Sequence, residues 1–387
     1  MSNCKQRIQI QTDHELDIPI EIIDLVIKEL IASTSRCYTP LSDIASLCLV
    51  SKAVYSLSGP HLLQKVVFKF VHASGDKTGE HLEKLLRDDP WLASHVKEVV
   101  FSITDFNGIA RMDLAAKKST VDDSQHSQAF GRLFPNIESL HIIRNKNQHY
   151  DHYAYEYESR ACRIILQNLS FYHHQLTSLH VANFVINIET VLQLPRLQHL
   201  SSESGTWVTV TDPYRESAYT PVVWNRTILT IPPHCVSLLQ TVSVRDDDTF
   251  PLSMIPFLLG LRSIECYLKR FAVKWEEAIV NIRTCADSSS SPVQPAVPVS
   301  YNTLESVEGN DTACDLLHVL SQRAAAVGLP AFPALHSLSL ERQSHQINPG
   351  PGRPCIYNLV DHMPSLRIMR FNGFSAYLSL SFQGSCR

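Results

Sequence analysis

The chain of 387 residues lacks most of the signals that mark enzymes, membrane proteins and nucleic-acid-binding proteins. It has only 13 glycines, and it contains no phosphate-binding loop, dinucleotide fingerprint or nucleophile elbow. Lysine and arginine total 34 against 38 acidic residues, so no basic excess indicates a nucleic-acid partner. No run of about 18 apolar residues predicts a membrane span. We therefore predict a protein that is not an enzyme and has no cofactor.

The ten cysteines are scattered, and none of them stands at the C-x-x-C spacing of a zinc site. We expect no metal site and a reduced, intracellular setting, either cytoplasmic or nuclear. The first 15 residues are polar and lack the apolar core of a signal peptide, so we expect a disordered N-terminus.

Two clusters of possible cation ligands have simpler interpretations. His180 follows His173 and His174, but it alternates with apolar neighbours on a predicted strand and is expected to be a surface residue. The three aspartates Asp246–Asp248 come directly after another predicted strand, where acidic residues usually form a solvated turn.

Residues 16–70 have the pattern of a small helical module. Asp17 can cap a helix whose first turn tolerates Pro19. The following apolar residues recur at helical spacing in one stripe, which consists of Ile22, Ile23, Val26, Ile27 and Leu30. A second helix is predicted over Leu41–Val50, and a short third helix begins at Ser51 and ends at Gly59-Pro60. Three short helices form a marginal core, so such a module favours a partner that covers one face.

This module resembles an F-box, which docks on a Skp-family adaptor of a cullin–RING ubiquitin ligase. The resemblance rests on Ile18-Pro19 with the following Glu-Ile-Ile, and on the element Leu47 to Lys52 with Tyr55. It implies adaptor contacts from Ile18, Pro19, Ile22, Ile23, Leu49, Val50, Ser51 and Lys52. Ile18 stands where leucine is usual, and the link around Ala32–Pro40 is longer than in compact members. The alternative is a set of ordinary helices in a larger helical domain.

From Val96 onward, the spacing apolar-x-x-apolar-x-apolar recurs and predicts a series of strands. The first positions of the copies are 96, 137, 176, 197, 239, 261, 304, 335 and 366. Four copies begin with an apolar-proline pair, at Phe134-Pro135, Leu194-Pro195, Phe332-Pro333 and Met363-Pro364. Proline ends a helix and sets an extended backbone, so each pair marks a change from helix to strand.

Helical patterns lie between the predicted strands. One of them covers Asp311–Val327, with Thr312 as its cap and a buried stripe of Leu316, Leu317, Leu320, Ala324 and Val327. Alternating strands and helices give a parallel sheet with right-handed crossovers. We therefore predict an α/β fold, in which a three-helix F-box precedes an irregular leucine-rich-repeat solenoid over residues 71–387. This part resembles the degenerate repeats that follow many fungal F-boxes; the alternative is a non-repeat α/β domain.

Three segments interrupt the pattern and are expected to contain mobile loops, at residues 202–233, 285–300 and 343–354. The first of them, around Trp207, is predicted to include an inserted hairpin. A tyrosine-rich run between His149 and Tyr157 carries two candidates for contact with a target protein, Tyr150 and Tyr155.

Together these features predict the substrate-recognition adaptor of an SCF-type cullin–RING ubiquitin ligase. The F-box would bind the Skp-family adaptor, and the exposed face of the repeats would bind an unknown target protein. The second hypothesis is a leucine-rich-repeat scaffold without a ubiquitin role. The third is an enzyme of unrecognised class, which predicts a pocket with convergent ionisable groups.

Overall fold

The computed structural model divides the chain into two compact units, with the boundary between Gln64 and Lys65. The residues that it describes are 20–34, 52–70, 88–103, 134–144, 169, 172, 174–210, 219–221, 238–246, 248–250, 252–268, 301–325, 328, 330–341 and 362–371. The helical module was expected to extend to residue 70. The chain from Lys65 instead belongs to the larger unit.

The smaller unit contains two described helices, α1 (Ile20–Thr34) and α2 (Lys52–Leu62), which pack against each other. The expected end of α2 at Gly59-Pro60 was wrong, because the helix continues to Leu62 with Pro60 inside it. The N–H of Leu63 still donates to the carbonyl oxygen of Gly59 at 3.1 Å, so the last turn closes around the proline. The second predicted helix, Leu41–Val50, lies outside the described residues.

The larger unit is built on one ten-stranded parallel sheet, which confirms the predicted α/β class. Its strands follow one another in the order in which the chain forms them. They are β1 (Lys65–Phe70), β2 (Glu98–Ile103), β3 (Ser139–Arg144), β4 (Ser178–Ala182), β6 (His199–Glu203), β9 (Thr241–Asp246), β10 (Ser263–Leu268), β11 (Ser306–Gly309), β12 (Ser337–Leu340) and β13 (Ile368–Phe371). Nine of these strands coincide with the nine predicted copies, and the first strand was not predicted.

One hydrogen-bond arrangement repeats at the start of successive strands. The carbonyl oxygen of Lys97, before β2, accepts from the N–H groups of Glu138 and Ser139 at the start of β3, at 2.8 and 2.9 Å. The same two-to-one pairing recurs from strand to strand, with acceptors at Lys97, Glu138, Thr177, Gln198, Gln240, Arg262, Glu305 and His336. These bonds fix the register of neighbouring strands. Residues at corresponding positions of the repeated spacing therefore lie side by side across the sheet.

The buried face of the sheet consists of the apolar residues of the repeated spacing. Val99, Leu140 and Leu179 stand next to one another in register, and all three are fully buried. β1 joins the same core, where the ring of Phe68 lies 5.8 Å from those of Phe101 and Phe134. A parallel sheet needs such a covered face. Among the described crossover helices, the one at Asp311–Ala325 packs against β10, β11 and β12.

The described crossover helices are α3 (Pro90–Ser94), α4 (Ile188–Leu192), a 3₁₀ helix (Leu252–Phe257) and α5 (Asp311–Ala325). In α5 the predicted stripe is buried at Leu316, Leu317, Leu320 and Ala324. The predicted cap Thr312 was wrong. The cap is Asn310, whose Oδ1 accepts from the N–H of Thr312 at 3.0 Å, while its Nδ2 donates to the Leu268 carbonyl oxygen at 2.7 Å.

A small second sheet lies partly within the first interrupting segment, with its first strand before residue 202. It contains β5 (Val185–Asn187), β7 (Thr206–Val210) and β8 (Tyr219–Pro221), and β7 and β8 pair antiparallel as the predicted hairpin. Residues 202–210 are therefore strand and turn rather than a loop, because Trp207 is fully buried and anchors β7. The other two expected loops, 285–300 and 343–354, lie outside the described residues.

Candidate partner-binding surfaces

Helix α1 carries apolar side chains on two opposite sides. Ile27 is fully buried on the inner side, while Ile22, Leu25 and Val26 are 48%, 60% and 50% exposed. These three residues occur at spacings of three and four, so they share one face of the helix, which we call the α1 outer face. A helix with apolar residues on both sides is typical of a buried element. The α1 outer face therefore has the composition of a surface that a partner covers.

The structure describes three of the eight predicted adaptor contacts. Ile22 lies on the α1 outer face, Ile23 is half-buried beside it, and Lys52 begins α2. The remaining five, Ile18, Pro19, Leu49, Val50 and Ser51, lie outside the described residues, as do Tyr150 and Tyr155. Sequence reasoning missed Leu25, because the predicted stripe did not include it.

The ten-stranded sheet has one polar face, formed by residues that alternate with the buried apolar ones. We define the polar face by side chains that are half-buried or exposed on β3 to β12. They are Ser139, His141, Ile143, Ser178, His180, His199, Ser201, Glu203, Thr241, Ser243, Arg245, Ser263, Glu265, Tyr267, Ser306, Glu308, Ser337 and Ser339. Hydroxyl groups dominate it, and Ile143 is the one large aliphatic side chain in this set. Such a surface suits a polar partner.

Two histidines occupy one end of the polar face. His141 and His180 are direct neighbours in register on β3 and β4, and their ring centroids are 5.2 Å apart. Both are half-buried, and burial lowers the pKa of each below its usual value. The prediction that His180 points outward from its strand is confirmed, although the side chain packs against a second histidine rather than standing free.

Charged and aromatic side chains form a network in the middle of the polar face. Arg245 donates to Glu265 at 2.8 Å, its guanidinium lies 5.3 Å from the ring centre of Tyr267, and the Tyr267 hydroxyl donates to Glu308 at 2.5 Å. Burial pushes the pKa of Glu265 upward, but hydrogen bonds from Arg245 and Ser243 outweigh burial and leave the pKa below its usual value. Arginine and tyrosine held in place by neighbours are typical of interface hot spots.

Asp248 corrects the interpretation of the aspartate run as a solvated turn. Its Oδ2 accepts from the Ser202 hydroxyl and from the Gly205 N–H at 2.7 Å. Its Oδ1 accepts from the Trp207 Nε1–H at 3.1 Å and the Phe250 N–H at 2.7 Å. We call these five residues the Asp248 cluster. Burial raises the pKa of Asp248 despite the four donors. Both oxygens are occupied by the protein, so the cluster joins β6, β7 and β9.

Among the described residues, a cavity of about 340 Å³ lies between the 3₁₀ helix, β10, the segment before β11, and α5. Leucine and isoleucine form most of its wall, and Asn302 and Thr303 add polar atoms. The lining contains no carboxylate, histidine, lysine or thiol, so it does not offer the convergent ionisable groups of a catalytic pocket.

In the described part of the chain, no group of three or more His, Cys, Asp or Glu side chains is arranged to hold a metal ion. No helix in that part is long and apolar enough to cross a membrane.

Comparisons with known proteins gave no relative from which a function can be transferred. No family model matches the chain, and no curated protein matches it at a significant level. The functional argument therefore depends on the residues and their geometry.

Proposed function

We propose that the protein is the substrate-recognition adaptor of an SCF-type cullin–RING ubiquitin ligase. The helical unit is an F-box that binds a Skp-family adaptor, and the larger unit is an irregular leucine-rich-repeat solenoid that binds the target protein. The protein itself supplies proximity, and the partner enzymes carry out ubiquitin transfer.

The observation that carries the proposal is the α1 outer face. Three large apolar side chains, each about half exposed, lie together on a helix whose opposite side is already buried. Leaving such a face in water costs roughly 25 cal/mol for each Å² of apolar surface, and a bound partner recovers that free energy. The F-box resemblance of the surrounding sequence identifies the partner as a Skp-family adaptor.

The repeated strand arrangement supports the second half of the proposal. Ten parallel strands in chain order, with one hydrogen-bond pairing repeated between neighbours, are typical of a solenoid built from stacked units. In such proteins the sheet face that is not covered by crossovers is available for binding. Here that surface is the polar face.

Co-purification of the full-length chain with a Skp-family adaptor tests the ligase role. We expect a stable complex, and we expect the double substitution Ile22→Asp and Val26→Asp to weaken it at least about tenfold in Kd. The reason is that two carboxylates would be desolvated in an apolar interface. Asp24→Lys, on a flank of the same helix, is the matched control and should retain binding. Absence of binding by the unmodified chain would contradict the proposal, and full binding by the double variant would exclude the α1 outer face.

A second prediction separates the target surface from the adaptor surface. Tyr267→Ala removes the ring that contacts Arg245 and the hydroxyl that bonds to Glu308, so we expect target capture to fall several-fold while adaptor binding is unchanged. Quantitative mass spectrometry of proteins captured after proteasome inhibition measures both values. Arg196→Ala, an exposed residue in the turn before β6 and outside the polar face, is the control. Equal target capture by Tyr267→Ala and the unmodified chain would place the target elsewhere.

The alternative is an interaction scaffold without a ubiquitin role, and the polar face favours it equally well. The two hypotheses differ in what the helical unit does. Deletion of residues 1–64 abolishes capture of cullin and adaptor in the ligase hypothesis. In the scaffold hypothesis it leaves the set of bound proteins unchanged.

A further inference from the structure

The two histidines of the polar face have an environment that gives them a role beyond surface contact. His141 is flanked on β2 by Glu98, whose Oε1 lies 3.2 Å from its Nε2, and within its own strand by the Ser139 hydroxyl at 3.2 Å. Glu98 also pairs with Lys65 of β1 at 2.5 Å. On the other side stands His180. The ring of His141 is therefore held between a carboxylate and a second imidazole.

His180 has its own set of neighbours on β6 and β9. Its Nδ1 lies 3.0 Å from the Ser201 hydroxyl oxygen. The charged groups that act on it are Glu203 of β6, which favours the protonated ring, and Arg245 of β9, which disfavours it. His199 of β6 is exposed and bonds to Thr241 instead, at 2.8 Å.

The charged groups around the pair are of both signs. Lys65 and Arg245 are positive, while Glu98, Glu203 and Glu265, the ion-pair partner of Arg245, are negative. Each proton that the pair accepts therefore adds one positive charge to an area of the sheet where no positive charge is in excess. Two imidazoles at this separation also repel each other once both are protonated, so the second proton is harder to add than the first.

We propose that His141 and His180 form a coupled proton switch, which makes this end of the polar face more positive in mildly acidic conditions than at higher pH. The switch rests on the proposed function only in that it takes the polar face as the target surface. There it would weaken the binding of basic target segments and strengthen that of acidic ones as the pH falls.

The coupling is tested by two substitutions that should shift the pKa of His141 in opposite directions. Imidazole NMR signals of the full-length chain are followed from pH 8 to pH 5, and His141 and His180 are assigned by their loss in His141→Asn and His180→Asn. His180→Asn is expected to raise the pKa of His141, because it removes a neighbouring positive charge. Glu98→Gln is expected to lower the pKa of His141, because it removes the carboxylate that stabilises the imidazolium. His336→Asn, an exposed histidine before β12, is the control and should change neither signal.

Stability provides a second measurement. Burial lowers the pKa of both rings in the folded chain, so between the unfolded value near 6.5 and the folded values the unfolded chain binds more protons. The free energy of unfolding must therefore fall as the pH falls through this range. We expect the fall to be smaller in the double variant His141→Asn and His180→Asn, measured by urea unfolding at pH 7.5 and pH 5.5.

An unchanged pKa of His141 in both His180→Asn and Glu98→Gln would overturn the switch. So would an equal pH dependence of the free energy of unfolding in the unmodified chain and in the double variant. Both measurements use the free chain, without adaptor or target. The switch can therefore be contradicted while adaptor binding is observed, and it can be confirmed while adaptor binding is absent.

Discussion

Trp207→Ala is expected to lower the free energy of unfolding of the larger unit by about 3–5 kcal/mol, which is the usual cost of removing a fully buried tryptophan. The ring packs edge-on against Phe250, with centroids 5.4 Å apart. Its Nε1–H donates to Asp248 and, at 3.2 Å, to the Ser202 hydroxyl oxygen. Alanine leaves a cavity and removes one of the four donors that satisfy a buried carboxylate. Urea unfolding followed by circular dichroism measures the loss.

Two milder variants separate packing from hydrogen bonding in the Asp248 cluster. Trp207→Phe keeps an aromatic ring but loses the N–H donor, so its cost should be smaller than that of alanine. Asp248→Asn keeps the shape but turns an amide NH₂ toward two of the four donors, which costs about 1–3 kcal/mol through an unsatisfied group. Thr303→Ala, which removes a polar side chain outside the cluster, is the comparison variant. It gives the change in free energy of unfolding that results from the loss of polar contacts elsewhere in the larger unit. Unfolding of Trp207→Ala at an unchanged urea concentration would contradict the structural role of the cluster.

The sequence predicted the strands well because their signal is local. Each copy needs two or three apolar side chains at the repeated spacing. The register then follows, because corresponding positions of neighbouring copies pair with each other, as Leu140 pairs with Leu179. β1 also carries the repeated spacing, at Leu63, Val66 and Phe68, but it follows directly on a helix and was assigned to the helical module that was expected to extend to residue 70.

The misread features depend on residues that are distant in sequence. Asp248 is buried because its donors Ser202, Gly205 and Trp207 come from 41–46 residues earlier in the chain, and a run of three aspartates gives no sign of them. The cap of α5 was placed two residues late for a related reason. Asn310 caps the helix after it and also bonds through its side-chain amide to the Leu268 carbonyl oxygen of the neighbouring strand. The second contact can be recognised only once the pairing of the strands is known.

The candidate surfaces were predictable only in part. Alternation along the strands identifies which residues face outward, and it identified His180 correctly. It does not reveal that His141 stands beside His180, because that contact requires the register between β3 and β4. On α1, helical spacing groups Ile22 with Val26, but only packing against α2 decides that Ile27 is the buried residue and Val26 the exposed one.

The turn from β11 into α5 leaves no room for a side chain at Gly309. A Cβ there would lie 2.1 Å from the Cys266 carbonyl oxygen and 2.7 Å from Cβ of Ala313 in the first turn of the helix. The backbone is held on both sides. The Cys266 oxygen accepts from the Asn310 N–H at 3.0 Å, and the Gly309 oxygen accepts from the Glu341 N–H at 2.6 Å. The Cys266 oxygen cannot move away without breaking its bond to Asn310, and Gly309 cannot move away without breaking its bond to Glu341.

Gly309→Ala is therefore expected to destabilise the larger unit by about 3 kcal/mol or more, at the upper end of the usual cost of overpacking. The urea midpoint of the full-length chain measures this loss. Adding Ala313→Gly should restore little, because it relieves only the longer of the two clashes. Gln193→Ala, an exposed residue directly after α4 in the same unit, is the control and should change the stability by no more than about 0.5 kcal/mol. Equal midpoints for Gly309→Ala and Gln193→Ala would show that the strand-to-helix turn can shift, and that its close approach is not what fixes α5 on the sheet.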